Sequence, residues 1–267
     1  MAGESKYKQL ISWVFNKHYV PGSTEFEWLR DELVEGCDVL GIKRPRNLGD
    51  VIYSFRFRGR MPDAVASTAP DGKEWVIEGR GIGRYAFRLV NQVRIRPNPA
   101  LSVIKIPDAT PQIIAKSALG DEQALLALVR YNRLIDTFLG ITSYSLQNHL
   151  RTTVKGVGQV ETDELYVAVD RFGRQFIIPV QAKGGTDEIG ITQTQQDLAL
   201  CSEKWPHMVC RAVSAQFITD RKVALFELTV QDDEIRIVRE SHYELVSSSE
   251  ISATDLLQYG LHANESL

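Results

Sequence analysis

The chain has 267 residues, of which 43% are hydrophobic and 24% charged, with three cysteines and a formal net charge of −3. This composition suits a globular protein with a full core, and no apolar run approaches the roughly 20 residues that span a bilayer. The amino terminus lacks an apolar signal segment, and the widely spaced cysteines suit a reducing compartment. We therefore expect a cytoplasmic protein with no membrane partner.

Residues 1–100 are predicted to form a first domain that begins with helices. Apolar residues at helical spacing predict one helix over residues 5–17 and a second over residues 25–41. Thr24 is the expected cap of the second helix, because Glu27 follows it three residues later.

A third helix and a hairpin complete this domain. The helix is expected to start at Asn47 or Asp50 and to run to about Phe57. Two apolar segments around a glycine-rich turn predict a β-hairpin over residues 73–90. Three helices followed by a basic hairpin outline a winged-helix-like α+β domain.

Positive charge is concentrated in the same part of the chain. Residues 41–105 carry 13 Lys and Arg against 5 Asp and Glu, whereas the rest of the chain is acidic. A basic module beside an acidic one is typical of a protein that grips DNA. The alternative is a set of solvated arginines on an ordinary strand. The candidate DNA contacts, to phosphates or to guanine edges, are Arg44, Arg46, Arg56, Arg58, Arg80, Arg84 and Arg88.

Residues 101–267 are predicted to form a second, α/β domain after a proline-containing linker at about 95–115. Helical spacing predicts a long helix that ends at Gly140 and a short one over residues 143–153. A hairpin, a helix over about 188–204 and three apolar strands follow. This order predicts a mixed sheet flanked by helices.

The hairpin of this domain, residues 159–185, is the most informative segment. Two strands surround a turn near residues 171–174, and alternation places Gln181 and Lys183 on one face of the second strand. Asp163 of the first strand is expected to pair close to Gln181. A carboxylate, an amide and an ammonium then meet at a spot able to hold a divalent metal and activate water for phosphodiester hydrolysis.

This arrangement resembles the PD-(D/E)XK nuclease superfamily, to which type II restriction endonucleases belong. In that pattern an acid begins one strand and an acid-x-Lys triplet ends the next. Asp163 matches the first acid, and Gln181 and Lys183 match the triplet, although Gln181 replaces the usual acid. The resemblance covers about residues 120–245 and implies a restriction-endonuclease-like core. It also implies Mg²⁺ as the cofactor, bound by Asp163 and the backbone carbonyl of Ala182.

The charged residues around the motif are expected to differ in role. Lys183 is expected to stabilise charge on the scissile phosphate and to position the attacking water. Glu161 shares a strand face with Asp163 and is a second candidate metal ligand, whereas Glu164 points the other way and is expected to be exposed. The resemblance implies that Glu122 faces the metal site. Its ordinary alternative is an acid in a first helical turn, which the helix dipole favours.

Three further polar residues lie near the motif in the sequence. Gln193 and Gln196 share a helix face after the lysine strand, and contact either the site or DNA, or form a plain polar face. His149 has no partner histidine at metal-ligand spacing and is expected to be structural.

The sequence thus predicts a Mg²⁺-dependent endonuclease that cuts duplex DNA at specific sequences. A homodimer is expected, because cutting both strands requires two active sites. Two alternatives remain open. One is a DNA-binding regulator whose nuclease-like core no longer cuts, which Gln181 in place of an acid favours. The other is a junction or repair nuclease that recognises DNA shape.

Overall fold

A computed structural model describes residues 5–58, 60–91, 95–117, 122–184, 190–219, 221–232 and 234–264. It confirms the α/β class and a mixed sheet flanked by helices in the second half of the chain. Among the residues so described, no helix combines the length and apolar character needed to cross a membrane.

The amino-terminal part packs helices against a small antiparallel sheet. Ser5 caps the first helix by accepting a hydrogen bond from the Lys8 backbone N–H at 3.3 Å. The sheet has the strand order β1-β3-β2. The elements are α1 (Lys6–His18), β1 (Glu25–Leu29), α2 (Glu32–Leu40), α3 (Leu48–Tyr53) with a π-helical turn (Ser54–Arg58), α4 (Asp63–Ala66), β2 (Lys73–Gly79) and β3 (Arg84–Asn91).

Aromatic side chains form the centre of this part. Phe15 of α1 is fully buried and contacts Phe26, Trp75 and Phe87 with ring centroids 5.1–5.3 Å apart. Large rings remove much apolar area from water for little loss of side-chain freedom. This core joins α1 to all three strands.

The predicted start of the second helix, over residues 25–41, is wrong. Residues 25–29 form strand β1 instead, and Thr24 is not a helix cap. Glu25 pairs with Arg88 across β1 and β3, and Trp28 stacks on Phe87 at 5.6 Å. Pairing with a distant strand outweighs the local helical spacing, which a single stretch of sequence does not reveal.

The carboxyl-terminal part is built on an eight-stranded sheet. The strand order is β4-β11-β10-β9-β7-β6-β5, with β8 beside β7. Pairing is parallel between β7 and β9 and between β4 and β11, and antiparallel between the others on that path. The strands are β4 (Val103–Pro107), β5 (Thr142–Val154), β6 (Gly158–Val169), β7 (Gln175–Lys183), β8 (Val209–Cys210), β9 (Ala212–Thr219), β10 (Lys222–Gln231) and β11 (Glu234–Val246).

Helices cover both faces of this sheet. Residues such as Leu125 and Phe138 pack with Tyr166 on one face, and Cys201 packs with Leu165 on the other. Successive residues of a strand point to opposite faces, so Leu165 and Tyr166 mark the two sides. The helices are α5 (Gln112–Ser117), α6 (Glu122–Tyr131), α7 (Leu134–Leu139), α8 (Ile191–Lys204) and α9 (Ala253–Asn264).

Three expectations for this part need correction. Residues 143–153 lie in strand β5, because β6 pairs with them along almost their whole length. The long helix that ends at Gly140 is two helices, since Arg133 has a left-handed φ of 49° between them. The expected linker contains strand β4, which pairs with β11.

The two parts meet where β2 ends. Gly79 lies directly against the carbonyl oxygen of Val157, in the turn between β5 and β6, and a Cβ atom there would overlap that oxygen. A cluster containing Val90 of β3, Ile191 of α8 and Phe226 of β10 continues the contact. The two parts can therefore pack this closely only because Gly79 has no side chain.

Replacing Gly79 with alanine is expected to lower the free energy of unfolding by about 2–3 kcal/mol, because two backbones must move apart. Urea denaturation followed by tryptophan fluorescence measures this change. Gly190→Ala is the matched control, since Gly190 has an ordinary φ of −100° and no atom of the described residues lies within 4 Å of where its Cβ would be. Equal stability of the two variants would contradict the close contact at Gly79.

Candidate active site

The candidate site lies where β6 and β7 pair. The hairpin and its turn between Asp170 and Arg174 are as the sequence predicts. Glu164 pairs with Val180, and the residue before it, Asp163, lies level with the end of β7. One oxygen of the Asp163 carboxylate accepts a hydrogen bond from the Ala182 backbone N–H at 2.9 Å.

Asp163 is a half-buried carboxylate in a mixed electrostatic environment. Burial raises the pKa of Asp163, while the hydrogen bond from Ala182 and the nearby positive charge of Lys183 act in the opposite direction. Lys183 itself is only 6% exposed. A buried ammonium beside a partly desolvated carboxylate is costly to assemble, which is typical of functional sites.

The backbone of Ala182 points toward Asp163. Its N–H is the donor to the carboxylate, and the N–H and C=O of one strand residue face the same strand edge. The carbonyl oxygen of Ala182 therefore faces Asp163 as well. Its methyl group is fully buried in the core on the α6 side of the sheet.

Glu161 and Glu122 lie at the margins of this group. The Glu161 carboxylate forms an ion pair with Arg151 of β5 at 3.2 Å and is about one-third exposed. Glu122 begins α6, and its Cγ atom lies 3.8 Å from where a Cβ on Gly184 would be. It is thus beside the end of the lysine strand. The roles of both as ligand or catalyst stay predictions.

Glu164 is buried, so its expected exposure is wrong. Its side chain is inaccessible to solvent and pairs with Arg130 of α6 at 2.8 Å. Ser145 donates a second hydrogen bond at 2.6 Å. The alternation argument did not reveal that α6 covers this side chain.

Asp197 of α8 is a buried carboxylate at the site that the sequence analysis did not single out. It is 2% exposed, and its two oxygens accept hydrogen bonds from the side-chain amide of Gln181 at 3.0 and 3.3 Å. Thr162 donates a further bond at 2.6 Å. Burial raises the pKa of Asp197 to about 7, with a smaller contribution in the same direction from the charge of Asp163.

Gln193 belongs to the same network. Its side-chain amide donates to the Gln181 side-chain oxygen at 3.2 Å. Gln193 and Asp197 are four residues apart, so they share one helix face. That spacing, directly after the lysine strand, is the sequence signal that could have identified Asp197. Gln181, an amide in place of an acid, therefore has a carboxylate as its immediate neighbour.

His149 also lies at the site. Strand pairing of Asn148 with Glu164 and of Leu150 with Thr162 places His149 opposite Asp163. Its φ of 48° is left-handed, an uncommon conformation for a residue with a side chain. Its charge is one of the influences that lower the pKa of Asp163 against the effect of burial. The expectation that His149 is only structural did not anticipate this position.

The candidate DNA-binding arginines fall into two groups. Arg44 and Arg46 are exposed in the loop between α2 and α3, and Arg84 is 57% exposed while pairing with Glu27 at 2.7 Å. Arg56, Arg80 and Arg88 lie in more enclosed positions. Arg80 and Arg88 pair with Glu78, Arg56 lies over the Tyr85 ring at 5.9 Å, and the side chain of Arg58 is outside the described part of the structure.

The oxygen donors at the hairpin are of the type that Mg²⁺ binds. No group of three or more His, Cys, Asp or Glu side chains is arranged around a metal position within the described ranges. Mg²⁺ is commonly held by one or two carboxylates with water in its other positions. Asp163 and the Ala182 carbonyl provide oxygens of that kind.

Comparison of the chain with protein-family models and with curated proteins finds no match.

Proposed function

We propose that this protein is a Mg²⁺-dependent endonuclease of the PD-(D/E)XK type that hydrolyses duplex DNA at specific sequences. The observation that carries the proposal is the meeting of Asp163, the Ala182 backbone and buried Lys183 at the end of β7. A restriction-endonuclease-like core and a winged-helix-like amino-terminal part belong to the same proposal.

Each residue has a distinct role in the proposed reaction. Asp163 and the Ala182 carbonyl would hold Mg²⁺, which when bound polarises the phosphate and activates an attacking water. Lys183 stabilises the negative charge that develops on the phosphate oxygens and orients the water. The reaction is an in-line displacement without a covalent intermediate.

Asp197 removes part of the objection that Gln181 raises. The amide of Gln181 carries no charge, but it is hydrogen-bonded to the Asp197 carboxylate. A second carboxyl group therefore lies one hydrogen bond from the position that the superfamily pattern gives to an acid, and with its pKa raised to about 7 it carries a negative charge above that pH. This neighbour favours an active nuclease over a regulator that has lost cleavage.

DNA binding is proposed for the exposed arginines of the amino-terminal part. Arg44, Arg46 and Arg84 project from the loop and hairpin that a winged-helix domain presents to DNA. A homodimer would place two sites on the two strands.

The test is incubation of the full-length protein with plasmid or phage DNA, with and without Mg²⁺. Discrete fragments are expected only with the metal. Asp163→Asn is expected to lower cleavage at least about 100-fold, because a neutral amide binds Mg²⁺ poorly. Asp71→Asn, at an exposed acid before β2, is the control and is expected to cut normally.

Two other outcomes would change the conclusion. A retained gel shift without cleavage of linear or branched DNA would indicate the regulator. Cleavage of four-way junctions but not of linear duplex would indicate a nuclease that recognises shape.

A further inference from the structure

Strand β5 forms one edge of the eight-stranded sheet. It has 13 residues, and among the described residues β6 is the only strand that pairs with it. Successive residues of an antiparallel strand turn their backbone N–H and C=O groups alternately to one side and to the other. About half of the backbone polar groups of β5 therefore point away from β6, toward the open edge.

The opposite edge of the sheet is protected. Strand β4 has only five residues, and its Pro107 has no N–H to donate. The Lys105 backbone N–H donates to the Tyr259 hydroxyl of α9 at 2.9 Å, and the Lys105 ammonium pairs with Asp255 at 3.1 Å. A short strand, a lysine, a proline and a covering helix are all means by which proteins prevent edge-to-edge association.

Strand β5 lacks these protective features. It contains no proline, lysine, aspartate or glutamate, and its one arginine, Arg151, pairs with Glu161 at 3.2 Å. A bulge between Ser145 and Gln147 interrupts its pairing with β6 but adds no charge. Residues 144–149 are all exposed, although alternation along a strand normally places every second residue on a buried face. An exposed edge of this kind is a template for pairing with another chain.

Two exposed apolar side chains lie in this stretch, one on each side of Ser145. Tyr144 is 60% exposed and Leu146 is 50% exposed. If two copies of β5 pair antiparallel with Ser145 at the centre, Tyr144 of each copy lies opposite Leu146 of the other. Apolar side chains directly opposite each other interact and leave water together. The strand is thus complementary to itself in this register.

We infer that β5 is an interface between two copies of this chain, which pair antiparallel about Ser145 and join their sheets into one. The left-handed φ of 48° at His149 ends the regular extended stretch, so pairing is expected over residues 142–148. All of these residues are uncharged. No like charges therefore face one another across the joint, which favours a second copy as the occupant of the edge.

The pairing places both hairpin sites on one side of the joined sheet. Two antiparallel strands are related by an axis perpendicular to the sheet, so both copies turn the same face to the same side. Asp163 lies on β6, one strand in from the joint and opposite His149. Strand spacing and rise put the two Asp163 residues roughly 30 Å apart. The use of both sites on one DNA duplex rests on the proposed function, whereas the interface itself does not.

Sedimentation velocity of the full-length protein, without DNA or Mg²⁺, tests the interface directly. A short paired strand buries less area than the roughly 1,200–2,000 Å² of stable interfaces, so the parent is expected to pass from monomer to dimer between about 1 and 200 µM. Leu146→Glu is expected to weaken association at least tenfold, because a carboxylate then faces Tyr144 of the other copy. Leu257→Glu, at a 73%-exposed leucine of α9, is the matched control and is expected to associate like the parent.

A double variant tests the register. Tyr144→Lys alone is also expected to weaken association at least tenfold. In Tyr144→Lys/Leu146→Glu, each new ammonium lies opposite a new carboxylate of the other copy. The double variant is therefore expected to associate about fivefold more tightly than either single variant at low salt, and to lose this gain in about 1 M salt. Because both side chains are exposed, every variant is expected to unfold at the temperature of the parent.

Plasmid cleavage separates the interface from the proposed function. If the hairpin site cuts DNA, the parent is expected to linearise supercoiled plasmid at concentrations where it is a dimer. Leu146→Glu is expected to release mainly nicked circles at the same concentrations. An inactive parent that still dimerises through β5 would contradict the proposed function and support the interface.

Two results would overturn the inference. One is a parent that stays monomeric over the whole concentration range, which would leave an extended segment of another protein as the occupant of the edge. The other is association that Leu146→Glu leaves unchanged. If Leu257→Glu abolished that association, the interface would lie at α9 instead.

Discussion

Replacing Lys183 with methionine is expected to reduce DNA cleavage by about 10²–10³-fold and to leave DNA affinity nearly unchanged. A reduction of this size is expected because the variant loses one preorganised group that stabilises charge in the transition state. Methionine keeps most of the apolar stem, so the buried position, 6% exposed, stays filled. Single-turnover cleavage assays and gel shifts separate the two effects.

A second strand lysine provides the control for this experiment. Lys222 begins β10 and forms a long ion pair with Glu244 at 3.8 Å. Lys222→Met is expected to cut DNA at the parent rate. If Lys183→Met also cut at the parent rate, Lys183 would have a purely structural role and the proposed function would fail.

The second large effect concerns pH and Asp197. The pKa of this buried carboxyl is raised to about 7, whereas it is near 3.8 in an unfolded chain. Between these values the folded protein holds a proton that the unfolded chain has lost. The stability of the metal-free protein is therefore expected to fall as pH rises from about 4 to about 7, by up to about 1.4 kcal/mol per pH unit from this group.

Asp197→Asn is expected to remove this dependence, since an amide does not titrate in that range. Urea denaturation in EDTA at several values between pH 4 and pH 8 gives the slope for each protein. The slope is the relevant quantity, because the new amide also alters the hydrogen bonds to Gln181 and Thr162.

Asp255 supplies a control of opposite sign. Hydrogen bonds from Ser252 and then from Lys105 lower its pKa, so its contribution to stability is lost as pH falls below about 4. Asp255→Asn should leave the slope between pH 4 and pH 7 unchanged. A parent protein with a flat profile in that range would show that Asp197 is not a raised-pKa group.

Asp197 also affects how the hairpin motif is interpreted. From the sequence, Gln181 in place of an acid is the main support for a protein that no longer cuts. In the fold, the side chain of Gln181 bridges Gln193 and Asp197 of the following helix. A carboxyl group is thus available from a different element, and it is charged above about pH 7.

Local patterns predicted the most about the hairpin. Asp163 and Lys183 are separated by one turn and two strands, so alternation and a tight turn suffice to bring them together. The helix over α1, the basic hairpin of β2 and β3, and the apolar strands β9 to β11 follow from similarly local signals.

Segments whose partners lie far along the chain were predicted less well. Residues 25–29 and 143–153 have helical spacing but form strands, because β3 and β6 offer them backbone hydrogen bonds and apolar contacts. Such pairing is a property of the assembled sheet, and intrinsic propensity is too weak to resist it.

By itself, the sequence determined the hairpin, the closeness of a carboxylate to a lysine, and the concentration of basic residues in the first part of the chain. Only the tertiary structure decided that Glu164 is buried against Arg130 and that Asp197 joins Gln181. The physical reason is the distance along the chain over which each kind of interaction acts. Strand alternation acts between neighbours along the chain, whereas burial and hydrogen-bond partners depend on which distant element packs against each residue.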